Sequence, residues 1–199
     1  MFAKRIFDIV LSALGLIILM PVFIIICVVI KLTSSGGVFF RQIRVGQYGI
    51  PFSIHKFRTM VTDAESKGLK ITVGADNRIT AIGRVLRKTK LDELPQLIDV
   101  LLGDMSFVGP RPEVPEYVAV YPNNIKQKIL SIRPGITDWA SIEMIDENEI
   151  LAKSNNPEQT YINEILPIKL NYAVEYIDNY SFFEDIKIIL ETLKKIIIR

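Results

Sequence analysis

An uninterrupted apolar run near the N-terminus constrains this chain more than any other feature. Between Ile9 and Ile30 lie 22 residues, of which only Ser12 is clearly polar. As an α-helix this run would be about 33 Å long, enough to cross the hydrocarbon core of a bilayer. It exceeds the roughly 7 to 15 apolar residues of a signal-peptide core, and no small-residue cleavage site follows it. The sequence therefore predicts a helix that enters a membrane.

Two features bear on whether this helix crosses the membrane or dips into it. Pro21, near the middle of the run, removes a backbone hydrogen bond and predicts a kink or break. Basic residues flank both ends, and the positive-inside rule then favours both ends on the cytoplasmic face, as in a re-entrant helix. Because many spanning helices also contain a kinking proline, the residues alone leave both topologies open. The flanking basic residues are Lys4, Arg5, Lys31, Arg41 and Arg44.

Charge is distributed unevenly along the chain. Residues 1–91 carry 14 Lys and Arg against 4 Asp and Glu, a balance of +10, whereas residues 92–199 carry 10 against 18, a balance of −8. A basic half next to an apolar run suits anionic lipid headgroups and phosphorylated ligands. The basic residues are scattered and no nucleic-acid-binding motif occurs, so we expect no nucleic acid among the partners.

The single cysteine and the single histidine exclude several kinds of site. Cys27 lies inside the apolar run, so the chain has no intrachain disulfide and no thiolate zinc site. His55 falls in a predicted strand without a second histidine or cysteine to form a metal cluster. We interpret it as a surface or packing residue rather than a catalyst.

Residue patterns predict an α+β fold that is mainly helical, with one small β-hairpin. The hairpin strands are rich in β-branched and aromatic residues, and a turn containing Gly46 and Gly49 joins them. Ser181 begins a capping box for a basic amphipathic last helix, which could lie on the membrane surface or pack on the core. The predicted elements are strands at 38–45 and 51–57, a loop at 62–77, and helical segments at 82–90, 94–102, 115–131, 161–179 and 181–199.

The segment from Arg87 to Glu113 carries the clearest chemical pattern. Pro95 suits the first turn of a helix, which places Asp92 and Glu93 at or just before the helix N-terminus. The positive end of the helix dipole favours ionised carboxylates there. By itself this pattern is also that of an ordinary helix start.

An arginine enclosed between two prolines follows in the same segment. Pro110 and Pro112 restrict the backbone on both sides of Arg111, and a stiffly held guanidinium suits bidentate phosphate binding. Arg87 stands five residues before Asp92, so a phosphate near the carboxylates could meet two arginines. The alternative, that Arg111 pairs with a surface acid, stays open.

Four separated motifs give the chain a family resemblance. The segments KFRTM, LDELPQL, GDMSFVGPRP and RPGIT occur in the same order and spacing as in the bacterial sugar transferase family. Over nearly its whole length the chain resembles the small members, the monotopic polyprenyl-phosphate phosphoglycosyl transferases. The resemblance implies a re-entrant membrane helix at 1–33, broken at Pro21, and a cytoplasmic catalytic domain at 34–199 that ends in an amphipathic helix.

The resemblance also implies a two-step reaction. Asp92 would attack the diphosphate of a UDP-sugar, and UMP would leave. Polyprenyl phosphate, undecaprenyl phosphate in bacteria, would then attack the covalent phosphosugar-aspartate and release a polyprenyl diphosphate sugar. A carboxylate is already ionised at neutral pH and needs no general base to act as a nucleophile. This step would begin glycoconjugate assembly at the cytoplasmic face of the bacterial inner membrane, ahead of downstream glycosyltransferases.

Further site residues follow from the same resemblance. Asp92 and Glu93 form the catalytic pair, and Glu93 would hold Mg²⁺. Phosphate oxygens would be bound by Arg87 and Arg111. Lys56 and Arg58, in the KFRTM segment, would contribute to nucleotide-sugar binding.

The chain departs from the family pattern at two places. Met20 precedes Pro21 where a serine is common, and the segment from Ile136 to Ser141 reads ITDWAS where many relatives read ITGWAQ. Asp138 and Ser141 therefore bear on sugar identity more than on reaction type. Two alternatives remain for function: a non-catalytic membrane-tethered anion-binding scaffold, and a membrane phosphohydrolase with the same aspartyl intermediate.

Overall fold

A computed structural model describes residues 2–64, 71–74, 76–144 and 146–198, and it confirms the predicted fold class. Helices dominate these residues, and the strands form two sheets of two strands each. The elements in chain order are α1 (Phe2–Thr33), β1 (Phe39–Val45), β2 (Pro51–Phe57), α2 (Ala81–Lys88), α3 (Gln96–Leu102), β3 (Ser106–Val108), α4 (Pro115–Ala119), α5 (Asn123–Ile129), β4 (Gly135–Thr137), α6 (Trp139–Glu143), α7 (Glu147–Ala152), α8 (Pro157–Thr160), α9 (Leu166–Asp178) and α10 (Phe182–Ile198).

The chain divides into two compact units. The first unit comprises Met1–Gln42, Ser53–Lys70 and Asp76–Gly103, and the second comprises Ile43–Phe52, Ile71–Ala75 and Asp104–Arg199. The β1–β2 hairpin contributes its open end to the first unit and its turn to the second.

The C-terminal half of α1 forms the core of the first unit. Ile26 and Ile30 are buried against Phe57 and Leu86. The ring of Phe57 also packs on that of Phe23, with centroids 5.2 Å apart. Burying side chains of this size contributes roughly 1.5–3 kcal/mol each, so this half of α1 is firmly held on the unit.

The N-terminal half of α1 packs on α3. The guanidinium of Arg5 donates to the carbonyl oxygens of Val100 at 2.6 Å and of Leu101 at 3.0 Å, in the last turn of α3. Gly15 lies so close to Leu97 that a Cβ added there would be 3.2 Å from the leucine Cδ1. Both halves of α1 therefore contact the same compact unit.

The middle of α1 presents apolar side chains outward. The helix continues through Pro21, so the proline does not end it, and the kink predicted there stays a prediction. Among the described residues, α1 is the one helix long and apolar enough to cross a membrane. The side chains of Ile17, Ile18, Ile24 and Ile25 are 58–70% exposed. An exposed apolar surface of this kind is typical of a region that contacts a membrane or another protein.

The second unit contains a short parallel sheet that the sequence did not reveal. Strands β3 and β4 pair in parallel, with Ser106 opposite Gly135 and Val108 opposite Thr137. Each strand has three residues, too few to show a period of two. Helices α6, α7 and α8 are also short and were not predicted.

The predicted helix boundaries agree with the structure apart from local interruptions. The segment predicted helical at 115–131 is two helices, α4 and α5, because Pro122 cannot continue the first. The segment at 161–179 opens with a π-helical turn before α9. Ser181 accepts a hydrogen bond from the Glu184 backbone N–H at 3.1 Å, as the capping pattern predicted. Part of the loop predicted at 62–77 lies outside the described residues.

Candidate active site

A 3₁₀ turn, Leu91–Glu93, carries the two candidate catalytic carboxylates between α2 and α3. Lys90 precedes it with φ +58°, a left-handed conformation that reverses the chain after α2. Pro95 lies at the N-cap of α3. Asp92 and Glu93 therefore lie just before the helix, as predicted, but on a turn of their own.

Asp92 is a buried carboxylate. Its side chain is 8% exposed, and its Oδ1 atom has no hydrogen-bond partner among the described residues. Burial raises the pKa of Asp92, and the neighbouring negative charge of Glu93 raises it further, whereas Lys56, Lys90 and Arg87 oppose the shift. An ionised Asp92 is thus poorly solvated, which favours reaction with an electrophile that approaches from outside.

The second carboxylate, Glu93, forms an ion pair with Lys56. The Lys56 Nζ atom, at the end of β2, donates to Glu93 Oε1 at 2.7 Å, and both side chains are largely shielded from solvent. The lysine charge also favours the ionised form of Asp92. The structure pairs Lys56 with Glu93, and the predicted role of Lys56 in nucleotide-sugar binding stays a prediction.

Arg87 is half-buried near the end of α2, and its Nε donates to Thr59 Oγ1 at 2.8 Å. Burial lowers the pKa of Arg87, and the charge of Asp92 opposes this effect, which places the guanidinium within electrostatic reach of the carboxylate. The structure therefore brings Arg87, Lys56, Asp92 and Glu93 into one cluster in the first unit. Lys56 pairs with Glu93, the charge of Arg87 acts on Asp92, and arginine and lysine suit a phosphate ligand.

Arg58 has a structural contact at the end of the membrane helix. Its side chain is 7% exposed, and Nη2 donates to the Ser34 carbonyl oxygen at 3.1 Å and to the Ser34 hydroxyl at 2.8 Å. Gly36, with φ +104°, lies against Nη1 so tightly that a Cβ there would be 2.3 Å away. Arg58 thereby fixes the segment that leaves α1. Its predicted role in nucleotide-sugar binding stays a prediction.

Arg111 lies in the second unit, on the loop after β3. Its backbone N–H donates to Asp138 Oδ2 at 3.1 Å. The other oxygen of Asp138 accepts from the Ser141 N–H at 2.8 Å and caps α6. Asp138, which departs from the family pattern, therefore fastens the arginine loop to the start of a helix.

Two glycines allow the arginine loop to approach the RPGIT segment. A Cβ on Gly109 would be 2.5 Å from the Arg133 carbonyl oxygen, and one on Gly135 would be 2.1 Å from the Gly109 nitrogen. Real Cβ atoms do not come so near, so both positions require glycine. The glycines of the GPRP and RPGIT motifs are thus explained by close backbone packing.

His55 has a buried partner that the sequence did not indicate. Its backbone N–H donates to Asp99 Oδ2 at 2.9 Å, and its Nδ1 lies 2.5 Å from Asp99 Oδ1. Asp99 is 0% exposed within α3. The pair ties β2 to α3, which fits the packing role predicted for His55. The available signal was an aspartate within a mostly apolar helix segment.

Asp92 and Glu93 are compatible with a divalent cation whose remaining ligands are phosphate oxygens of a substrate and water. Within residues 2–64, 71–74, 76–144 and 146–198, no group of three or more His, Cys, Asp or Glu could form a metal cage. Mg²⁺ commonly binds through one or two carboxylates and completes its shell with phosphate oxygens and water. The buried, unpartnered Oδ1 of Asp92 beside Glu93 is compatible with that arrangement.

The fold and this cluster define a membrane-associated protein in which a buried carboxylate, Asp92, and the neighbouring Glu93 are accompanied by Lys56 and Arg87. The chain belongs to the bacterial sugar transferase family, whose family model matches residues 1–199. It is 36% identical over 198 residues to the uncharacterized sugar transferase EpsL of Bacillus subtilis, covering 100% of this chain and 89% of that protein.

Two further relatives have names that state an activity. The UDP-glucose:undecaprenyl-phosphate glucose-1-phosphate transferase of Escherichia coli is 38% identical over 96% of this chain. The UDP-N-acetylgalactosamine-undecaprenyl-phosphate N-acetylgalactosaminephosphotransferase of Aeromonas hydrophila is 34% identical over 98% of this chain. The aligned region spans 39% and 44% of these two proteins, so they are more than twice as long as the shared part.

Proposed function

We propose that this protein transfers a sugar 1-phosphate from a UDP-sugar to undecaprenyl phosphate and releases UMP. The proposal rests on Asp92, whose buried Oδ1 atom has no hydrogen-bond partner among the described residues and whose ionised form is favoured by the charges of Lys56 and Arg87. Relatives at 34–38% identity have this activity in their names.

Asp92 acts as the nucleophile in a double displacement. One carboxylate oxygen attacks the sugar-bearing phosphorus of the UDP-sugar, and the bond from that phosphorus to the bridging oxygen breaks. UMP leaves with the bonding electron pair. An oxygen of undecaprenyl phosphate then attacks the same phosphorus, the bond to Asp92 breaks, and the carboxylate is restored.

The other site residues balance charge during these steps. Arg87 and Lys56 lie where they can offset the negative charge of the approaching diphosphate and of Asp92. Glu93 would hold Mg²⁺, which when bound supplies further neutralisation of the diphosphate. Arg111 would bind phosphate oxygens from its stiff loop between two prolines.

We propose that α1 enters the membrane from the cytoplasmic side and returns to it. Arg5 near one end contacts Val100 and Leu101, and Ile30 near the other end contacts Phe57, all within the first unit. In a straight helix Arg5 and Ile30 would be about 38 Å apart along the axis, on opposite sides of a bilayer. A helix that crossed the bilayer would lose the contacts at one of these ends, which supports the re-entrant path, and UDP-sugars are cytoplasmic substrates.

We also propose that α10 rests on lipid. Phe183 and Ile197 are 82% and 83% exposed, and Leu193 is 52% exposed. Lys187 and Lys194 on the same helix are more than 60% exposed. Exposed apolar side chains next to lysines suit the headgroup region of an anionic bilayer.

Release of UMP tests the proposed transfer. The purified protein, in nanodiscs with Mg²⁺, is incubated with a panel of UDP-sugars with and without undecaprenyl phosphate. We expect ping-pong kinetics with one UDP-sugar, and, without the lipid, a protein heavier by one phosphosugar. Asp92→Asn serves as the control and should give neither product nor adduct.

The same experiment separates the alternatives. A non-catalytic scaffold would give neither UMP nor adduct from any UDP-sugar. A phosphohydrolase would release free sugar phosphate continuously without lipid. Intersecting initial-rate lines without an adduct would contradict the covalent step and would favour direct attack by the lipid phosphate.

A further inference from the structure

Thr59 makes two contacts with the segment that carries Arg87. Its hydroxyl oxygen accepts the hydrogen bond from Arg87 Nε at 2.8 Å. Its carbonyl oxygen accepts from the Thr80 backbone N–H at 2.9 Å, and Thr80 caps the first turn of α2. Thr59 is 6% exposed, so neither contact competes with bulk water.

The start of α2 fits Thr59 closely. A Cβ on Gly83 would be 2.0 Å from the Thr59 carbonyl oxygen, so glycine is required for the helix to approach this strand end. Thr80 Oγ1 accepts from the Gly83 N–H at 3.0 Å and closes the cap. Thr59 therefore fixes the position of α2 through its backbone and the direction of the Arg87 side chain through its hydroxyl.

Hydrogen bonding at Nε determines which way a guanidinium faces. When Nε is engaged, rotation about the last side-chain bonds is restricted and the two terminal nitrogens are held in one direction. A pre-oriented guanidinium loses less freedom when it binds a phosphate in bidentate fashion. The hydrogen bond from Arg87 Nε to Thr59 therefore favours phosphate binding by Arg87. The Thr59 hydroxyl need not contact the phosphate itself.

We propose that Thr59 is a positioning residue, which orients Arg87 toward the phosphate groups of the substrate through its hydroxyl. The proposal rests on the transfer reaction proposed above. It assigns a role to the fourth residue of the KFRTM segment that is distinct from the roles of Lys56 and Arg58.

Two substitutions separate the hydroxyl from the rest of the side chain. Thr59→Val keeps the branched shape and removes the acceptor, whereas Thr59→Ser keeps the acceptor and removes the methyl group. We expect kcat/KM for the UDP-sugar to fall about tenfold in Thr59→Val, as for loss of a hydrogen bond to a charged group, and to stay within about threefold in Thr59→Ser. Thr89→Val removes an exposed hydroxyl that bonds the Val85 carbonyl on the same helix and serves as the matched control.

A double-mutant cycle tests whether the effect passes through Arg87. In an Arg87→Lys background the Nε group is absent, so Thr59→Val should cause little additional loss. Additive losses, or equal losses in Thr59→Val and Thr59→Ser, would overturn the proposal and would indicate a packing role.

A readout independent of turnover keeps this inference separate from the proposed reaction. The ¹⁵Nε–H resonance of Arg87, identified by its loss in Arg87→Lys, is followed in nanodiscs. We expect it to be protected from water exchange in the wild type and in Thr59→Ser, and to exchange at least several-fold faster in Thr59→Val. Unchanged exchange in Thr59→Val would overturn the positioning role, whereas failure of the wild type to release UMP would overturn the proposed reaction alone.

Discussion

At the scale of single residues, the cluster in the first unit combines burial with opposite charges. Asp92 is buried with no partner for Oδ1 among the described residues, Glu93 is paired with Lys56, and Arg87 donates to the Thr59 hydroxyl. Burying a carboxylate oxygen without a hydrogen-bond partner lowers the stability of the fold. A residue with a purely structural role is not expected to carry such a cost. A group that is costly in the folded state and central to a cluster of cations is characteristic of a functional site.

Asp92→Asn should abolish transfer and stabilise the fold at neutral pH. The amide cannot attack phosphorus, so UMP release should fall to background. Because the pKa of Asp92 is raised in the folded state, its ionised form destabilises the protein above that pKa, and the penalty disappears as the pH falls through it.

Thermal unfolding in Mg²⁺-free buffer measures this effect. The variant should unfold at a higher temperature than the wild type at pH 7.5, and the difference should shrink as the pH is lowered toward 4. A lower unfolding temperature at pH 7.5 would contradict the destabilising role of the buried charge. Residual turnover above a trace would exclude Asp92 as the nucleophile.

Glu93→Gln should change both the Mg²⁺ requirement and the acidic side of the pH–activity profile, which is the acid limb. If Glu93 holds Mg²⁺, the Mg²⁺ concentration for half-maximal UMP release should rise at least several-fold. Removing the Glu93 charge also removes a cause that raises the pKa of Asp92, so the acid limb should move to lower pH. Glu164→Gln, an exposed glutamate, is the control and should match the wild type. An unchanged Mg²⁺ requirement would remove Glu93 as a ligand.

At the scale of elements, short segments are fastened by side chains that cap them. Asp138 joins the loop of Arg111 to the first turn of α6, and Arg5 binds the last carbonyl groups of α3. Both contacts engage backbone groups at the end of a helix. Helices of five to seven residues, such as α6 and α3, depend on such contacts because they are too short to be stable alone.

Asp138→Ala should destabilise the protein and loosen the Arg111 loop. Loss of an N-cap costs about 1 kcal/mol, and a second backbone donor, at Arg111, also loses its acceptor. We expect a lower unfolding temperature and a higher KM for the UDP-sugar. Asp138→Asn retains an acceptor oxygen for the cap and should show a smaller loss of stability. Equal destabilisation of the two variants would indicate that the negative charge, and not capping, is what α6 requires.

At the scale of the whole molecule, α1 links membrane insertion to the first unit. Its exposed middle is apolar, whereas both of its ends contact residues of that unit. We expect lipid to cover the exposed middle, and a helix that crossed the bilayer would lose the contacts at one of its ends. The proposed re-entrant path keeps both sets of contacts.

Cysteine labelling in intact cells tests this path. In a Cys27→Ser background, a cysteine placed at residue 2 should resist a membrane-impermeant maleimide added outside and should react after the membrane is opened. Pro21→Leu restores a backbone donor and should favour a straight, spanning helix, with labelling from outside. Labelling of the parent from outside would contradict the re-entrant path.

Local sequence determined a large part of this protein. The apolar run predicted α1, β-branched and aromatic residues with turn glycines predicted the hairpin, and the Pro95 pattern located the carboxylates before α3. Each of these depends on residues close in the chain, whose periodicity and turn chemistry are visible in one sequence. The motifs and their order then indicated the family, which the family model confirms.

Tertiary structure decided the rest, because it depends on residues far apart in the chain. The Thr59 contact with Arg87 spans 28 positions and the His55 contact with Asp99 spans 44. The pairing of β3 with β4 joins two segments of three residues. The burial that raises the pKa of Asp92 likewise arises from the packing of the folded chain, and the residues next to Asp92 in the sequence do not indicate it. A single sequence carries no periodic signal for such contacts, so only the folded chain reveals which groups surround the carboxylates.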